Sequence, residues 1–340
     1  VTTSYNYPTP TDMGTAAYVF TGNVTFALSV ATAARFDFNN DLTISAGTTT
    51  IPNNIGINNP SGINTLNLNG TSFLILNGLL NSVTNFPSNF ANYNFAIGST
   101  VRYSSAGAQV VQGGSGKVYG ILDLRNNTKT VSGSPLIING YTSGGNVNSL
   151  ILNTVTADFS GVDVTLAGSI SATGTPTLTC NQNFTFNAAD GNQALPAGCV
   201  YNFNNLTFTQ TTPTASRTKT IGADITVDGN FTVTNTGGSS AIQNIINLQN
   251  FTLLDASPSG TLSLGSNVTL NHNGTGSEFQ NTLNNFTTVS FDNTAGNPST
   301  IGFTNATNGT TQTIPYQNTT AIILYANIDF TGGGTSNTKL

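Results

Sequence analysis

The acid–base and metal-binding residues of this chain are few: twelve Asp, Glu278, His272, Cys180 and Cys199. Asp37, Asn39 and Asp41 in DFNNDLT have the one-three-five oxygen spacing of a calcium loop. Leu42 stands where that loop needs glycine and Thr48 where it needs a bidentate Glu, so a polar turn with Asx caps is the favoured reading. One histidine cannot build a His-based metal cluster within the chain, and it has no Ser or Cys partner in a recognisable catalytic context. His272 is expected at a turn or on the surface. Carboxylate pairs for glycoside cleavage are not gathered anywhere in the sequence; Asp224 and Asp228, four residues apart, lie on one face of a strand or turn. Lyase chemistry on acidic polysaccharides needs a base beside cations, and the eight Lys and Arg are scattered singly. The chain reads as a non-enzyme with no cofactor.

Two patterns bear on covalent modification. Cys180 and Cys199 enclose 18 residues with no His or further Cys nearby, which predicts a disulfide and an oxidising compartment. Two buried free thiols are the alternative. Asn-x-Thr sequons begin at Asn23, Asn69, Asn126, Asn183, Asn205, Asn230, Asn250, Asn267, Asn273, Asn285, Asn305, Asn308 and Asn318. They mark candidate glycosylation sites, although a chain this rich in threonine produces many sequons by chance.

The elements that must position these residues are strands. Charged residues make up 6% of the chain, against roughly 25% in ordinary soluble proteins. Asn, Thr, Ser and Gly take their places, so helix-forming surface residues are scarce while β-branched and aromatic residues favour strands. Apolar residues recur in alternating runs, which excludes a disordered chain. The sparse cations exclude a nucleic-acid partner, and no apolar run approaches the roughly 20 residues of a membrane-spanning helix. With 20 Phe, 10 Tyr and no Trp, the aromatics suit core packing better than exposed sugar platforms.

Along the chain, residues 1–15 read as an N-terminal arm or donor strand, and the start at Val1 rather than Met suits a processed, secreted protein. Residues 16–30 read as strand, turn at Gly22-Asn23, strand. The text LNLNGTSFLILNGLL at residues 66–80 places Leu66, Leu68, Phe73, Ile75 and Leu76 on a buried face. Short strands with Asn-Gly or Gly-Ser corners predict an all-β, elongated β-solenoid, a β-helix-like repeat array. There, equivalent side chains stack and their amides and hydroxyls form ladders. Stacked like charges would repel, which accounts for the missing Lys and Glu. Tandem β-sandwich modules are the alternative. Residues 321–330 read as an apolar edge strand that a neighbour's arm could cover by strand addition.

Residues 98–133 are echoed later in the chain. Gln109 aligns with Gln193, Tyr119 with Tyr201, Leu122 with Leu206, and Lys129-Thr130-Val131 with Lys219-Thr220-Ile221. Gln280 takes the position in a weaker third copy and Gln312 in a truncated fourth; the first three glutamines lie 84 and 87 residues apart. This period divides the chain into residues 16–95, 96–180, 181–265 and a partial repeat and tail at 266–340. Lys129, unusual in so uncharged a chain, is expected to pair with Asp123.

The pattern of Gln109, Tyr119, Leu122-Asp123-Leu124 and Lys129-Thr130-Val131-Ser132-Gly133 resembles repeats of secreted, adhesin-like cell-surface proteins of Bacteroidota, often exported by the type IX pathway. The resemblance covers residues 95–290. A weaker similarity, of composition only, links the chain to archaeal surface threads and pili. These resemblances imply an extracellular structural or adhesive protein of the cell surface, which self-associates into a polymer or attaches to the surface. A pilus- or thread-like filament joined by strand addition is one form of this. The other class of reading is a secreted carbohydrate-active β-helix enzyme or a glycan-binding module.

Overall fold

The structure, a computed structural model, describes residues 4–5, 11–28, 34–79, 84–114, 116–140, 148–237, 241–254, 259–274, 278–305, 311–319, 321–330 and 338–339. Its strands stack in parallel, turn upon turn, into a β-solenoid of about 11 turns. The tandem-sandwich alternative is thereby set aside. One turn advances the chain by 24 residues from Leu42 to Leu66 and by 27 from Leu66 to Tyr93. The advance shortens to 19 from Val118 to Ile137 and lengthens to 31 from Phe231 to Leu262. The structural repeat is therefore a single turn, and the 84- to 87-residue echo spans several of them. The strand Thr177–Phe186 crosses position 180, and one hydrophobic cluster runs from Phe26 to Ile323.

Each turn consists of short strands on separate faces joined by corners. One face stacks Tyr18–Phe20, Leu42–Ile44, Thr65–Leu68 and Asn92–Phe95 and continues upward to Phe286–Phe291. Another stacks Val24–Thr25, Thr48–Pro52, Phe73–Asn77, Thr100–Tyr103, Ile121–Arg125, Asn148–Asn153 and Ser169–Thr173. Alternate residues point inward, and a parallel stack brings like upon like: Phe186 lies on Phe208 with ring centroids 4.7 Å apart. Tyr103 and Tyr119, both fully buried, join hydroxyls at 3.1 Å; the Tyr119 hydroxyl donates onward to the Gln112 carbonyl at 2.6 Å.

Three sequence expectations are corrected. In Phe73–Asn77 the inward residues are Leu74 and Leu76, while Phe73 and Ile75 face outward. The corner at residues 69–72, with Gly70 in the left-handed region at φ 55°, sets the register of the next strand, and a one-residue step exchanges its two faces. Outward Phe73 then carries the Arg102 guanidinium 4.8 Å from its ring centroid. Secondly, within residues 321–330 only Asn327–Asp329 is strand, and Ile322 and Leu324 are exposed. Thirdly, the described parts of the N-terminal arm pair within their own chain, Ser4–Tyr5 with Ala27–Leu28 and Thr11–Asp12 with Phe36–Asp37. A short helix, Glu278–Asn284, departs from the all-strand expectation. It takes the place of a strand in one turn and buries Phe279 and Leu283 in the core.

Candidate functional site

The echoed glutamines lead to a repeated local device. Buried carbonyls at a corner must be satisfied; those of Leu76, Leu166 and His272 accept the Ser104, Asn187 and Thr304 amides of the next turn, and a side-chain amide adds a donor there and at the glycine two places on. The Gln109 side-chain amide donates to the Leu76 carbonyl at 3.1 Å and to Gly78 at 2.9 Å. Gln193 donates to Leu166 at 3.1 Å and Gly168 at 2.9 Å. Gln312 donates to His272 at 3.2 Å and Gly274 at 3.0 Å. In all three, one buried amide bridges the carbonyls of a residue and of the glycine two places on. Gln280 does not belong with them. It lies in the helix and donates to Asn284 and Gln317.

Each clamp glutamine is followed in the stack by a lysine: Gln109 pairs in register with Lys129, Gln193 with Lys219 and Gln312 with Lys339. Lys129 and Lys219 are fully buried. The Lys129 ammonium donates to the carbonyls of Asn126 at 2.6 Å, Ser105 at 3.2 Å and Gly107 at 3.4 Å. Asn126 and Asn127, at φ 58° and 39°, make the corner that delivers the first of these. The Lys219 ammonium donates to the Gly191 carbonyl at 2.5 Å. Burial lowers the Lys129 pKa to about 8 and that of Lys219 to about 7, with nearby Arg217 adding to the second. The expected Asp123 partner is a correction: that carboxylate is gripped by Arg102 Nε at 2.7 Å and Arg125 Nε at 3.0 Å. Asp190 pairs with Arg217, which holds its carboxyl well below the usual range. Carbonyl oxygens, not carboxylates, hold both buried lysines. These groups lock corners, and nothing in their geometry presents a reactive atom to solvent.

The remaining candidates separate in space. Asp37 pairs with Arg35 at 2.8 Å and accepts from Asn58; Asn39 donates to Asp12; Asp41 accepts the Thr65 amide. The three calcium-type oxygens thus serve three different neighbours, because a strand-and-corner backbone fans them apart where a calcium loop would wrap them inward. His272 is buried, against the surface expectation: the strand Val268–His272 turns it into the core, stacked on Phe279 at 5.7 Å. Among the described residues its ring nitrogens have no hydrogen-bond partner, and burial lowers its pKa, partly opposed by Glu278.

Cys180 and Cys199 are free, buried thiols and not the expected disulfide. Val200 pairs with Thr177, which sets Cys199 over Pro176, four residues upstream of Cys180 in the neighbouring turn. Four strand residues span about 13 Å, roughly twice the Cα separation that a disulfide bridges. Burial pushes both thiols up to about 11. A thiol reagent is therefore expected to leave the native chain unlabelled and to label both cysteines in denaturant. Mass analysis finding no free thiol after unfolding would restore the disulfide.

Several of the sequons spell out the corner. Asn183-Phe184-Thr185 places Asn at the bend, Phe in the core and Thr outward, and Asn205-Leu206-Thr207 and Asn230-Phe231-Thr232 repeat this one turn at a time. Asn183 Nδ2 donates to Asp163 at 2.8 Å and Asn205 Nδ2 to Asn183 at 3.1 Å. Asn205 and Asn230 then accept the amides of Asn230 and Thr261 at 2.9 and 3.0 Å. A second ladder runs from Asn94 to Asn67 to Thr43. Asn23, Asn69, Asn126, Asn183, Asn230, Asn250 and Asn273 are exposed, Asn205 and Asn285 half-buried, and Asn308 lies outside the described residues. Asn267, Asn305 and Asn318 are buried, the last donating to the Phe286 carbonyl at 2.8 Å, and are closed to a glycan in the folded chain.

A cavity of about 470 Å³ lies at the first turn, where Tyr18, Phe20, Phe26 and Phe36 line an opening to the apolar interior. Among the described residues no group of His, Cys, Asp and Glu converges as metal ligands. No helix among them is long and apolar enough to cross a membrane. No protein-family model, curated protein or solved structure matches this chain.

Proposed function

We propose that this protein is an extracellular structural or adhesive component of the cell surface, working as a stiff rod. The observation that carries this reading is the single apolar core running from Phe26 to Ile323 beneath outward ladders of uncharged side chains. Each turn is tied to the next by a strand ladder and a stack of core residues, so the unit resists bending along its whole length. At about 4.8 Å per turn such a stack holds its two ends roughly 50 Å apart, which suits a spacer or a display surface. The resemblance of the Gln109–Gly133 text to secreted adhesin repeats supports the same reading.

A filament is the polymeric form of this proposal. The face that begins with Tyr18–Phe20 and ends with Phe286–Phe291 has an outer strand at each end. Exposed Ile322 and Leu324 lie near the later end and the apolar opening at the earlier one. Stacking copies end to end by strand addition would cover both. External protease treatment and antibody labelling of intact producing cells test the surface location, and negative-stain images of the released material distinguish rods from filaments. A chain that is untouched by external protease and found inside the cell overturns the proposal.

A further inference from the structure

One face of the later turns carries a regular array of small hydroxyl and amide side chains. In register, Thr165 stacks on Thr185, Thr185 on Thr207, Thr207 on Thr232, Thr232 on Ser263 and Ser263 on Ser290. Beside this column run the Asn183, Asn205, Asn230 ladder, continued by Thr261 and Thr288, and on its other side Thr209 bonded to Thr234 at 2.9 Å. The residues between them, Phe184, Phe186, Leu206, Phe208, Phe231 and Val233, are fully buried, so the outward side chains stand on a packed support. Threonine has few side-chain rotamers, which holds each hydroxyl and methyl in a repeated position. The array repeats at about 4.8 Å from turn to turn and about 6.7 Å between alternate residues of a strand.

We propose that this threonine face binds ice. The oxygen rows on the prism faces of hexagonal ice repeat on two spacings close to these, so a lattice of water can meet hydroxyls and methyls at many points at once. A dissolved small ligand would need a cavity, and the small one of about 140 Å³ at Thr288 stands at the far end of these columns; a lattice needs repetition without one. Charge would impose its own hydration shell, and the members from Asn183 to Ser290 include no charged residue. Two other columns differ on this point. One outward column reads Val110, Thr130, Asp158, Thr179, Asn202, Thr226, Leu254. Another sets Ile75, Arg102, Asp123 and Ile151 in line. The threonine face also has no outward aromatic ring of the kind that stacks on sugars, which sets it apart from a crystalline-polysaccharide surface.

This inference goes beyond the surface-rod reading and stands or falls separately from it. The test is partition of the purified full chain into slowly growing ice, with inhibition of ice recrystallisation as a second readout. Wild type should enter the ice fraction and restrain crystal growth. Thr207→Lys and Thr232→Lys should lower the partition roughly tenfold, the ratio given by about 1.4 kcal/mol of lost binding. Thr220→Lys, on a different face, should leave it unchanged. Melting curves check that the variants fold, and a Thr207→Ala/Thr232→Ala double variant replaces any lysine variant that does not. Exclusion of the wild type from ice overturns the proposal, as does equal partition of all folded variants. Retention on insoluble cellulose or chitin without entry into ice also overturns it.

Discussion

Folding stability is expected to rise from pH 7 to pH 9, peak between about pH 9 and 10, and fall on either side. The cause is the pair of buried lysines. An unfolded Lys219 or Lys129 titrates near 10.5, whereas in the folded chain burial brings them to about 7 and about 8. Between these values the unfolded state binds more protons, so stability increases with pH. Each unit of displacement is worth about 1.4 kcal/mol, which makes the rise between pH 7 and 9 about 3 kcal/mol. Above pH 9 the thiols oppose it. Unfolded cysteine ionises near 9.0, while Cys180 and Cys199 stay protonated to about 11. Tyr103, Tyr119, Tyr201 and Tyr325, all raised by burial, add to the loss beyond pH 10. On the acid side His272 must charge in the core and the Asp190–Arg217 pair is lost. Urea midpoints across this pH range measure the profile. Lys219→Met, which removes a charge held by one carbonyl, should flatten the alkaline rise without lowering stability at pH 7. A wild-type midpoint that is level or falling from pH 7 to 9 would sink the assignment of both lysines as buried cations.

The second large effect is local. Phe208→Ala should cost about 3–5 kcal/mol, because it opens a cavity in a packed column of rings. Phe208 is fully buried and touches Phe186 at 4.7 Å and Phe231 at 6.0 Å, in the turns below and above. A solenoid is held by nearest-neighbour contacts, so damage to one turn need not spread through the stack. Hydrogen exchange should quicken in Thr177–Phe186, Val200–Gln210 and Phe231–Asn235. Thr65–Leu68 and Thr100–Tyr103 should keep their protection. Uniform loss of protection along the chain would show instead that the solenoid unfolds as one cooperative body. That outcome would change the picture of how load passes along the rod.

Much of the architecture was legible in the sequence. Alternating short runs, uncharged polar residues and Asn-Gly corners specified stacked β turns, because only a stack of equivalent positions has reason both to ladder amides and to avoid charge. The echo of Gln109 at Gln193 and Gln312 was legible too, since one amide must span two carbonyls in each place. Gln280 shows where that signal fails: the residue type matched, but a helix had taken over the turn. The sequons were visible as text and ambiguous as chemistry, since Asn at the bend, an apolar residue inside and Thr outside spells the same three letters.

Composition and local periodicity by themselves determined the class of fold, the polar dress of its faces and the corner chemistry, because each depends on residues within one strand or one bend. The tertiary structure alone decided which residues meet from turn to turn. Turns of 19 to 31 residues carry no mark of their length in the sequence, so register could not be read from it. That register parts Cys180 from Cys199, gives Lys129 carbonyls in place of Asp123, turns Leu74 inward in place of Phe73, and brings Thr165, Thr185, Thr207 and Thr232 into one column. Such contacts join residues some 20 to 30 positions apart through a parallel ladder, and a shift of one residue in that ladder would exchange the buried and exposed faces.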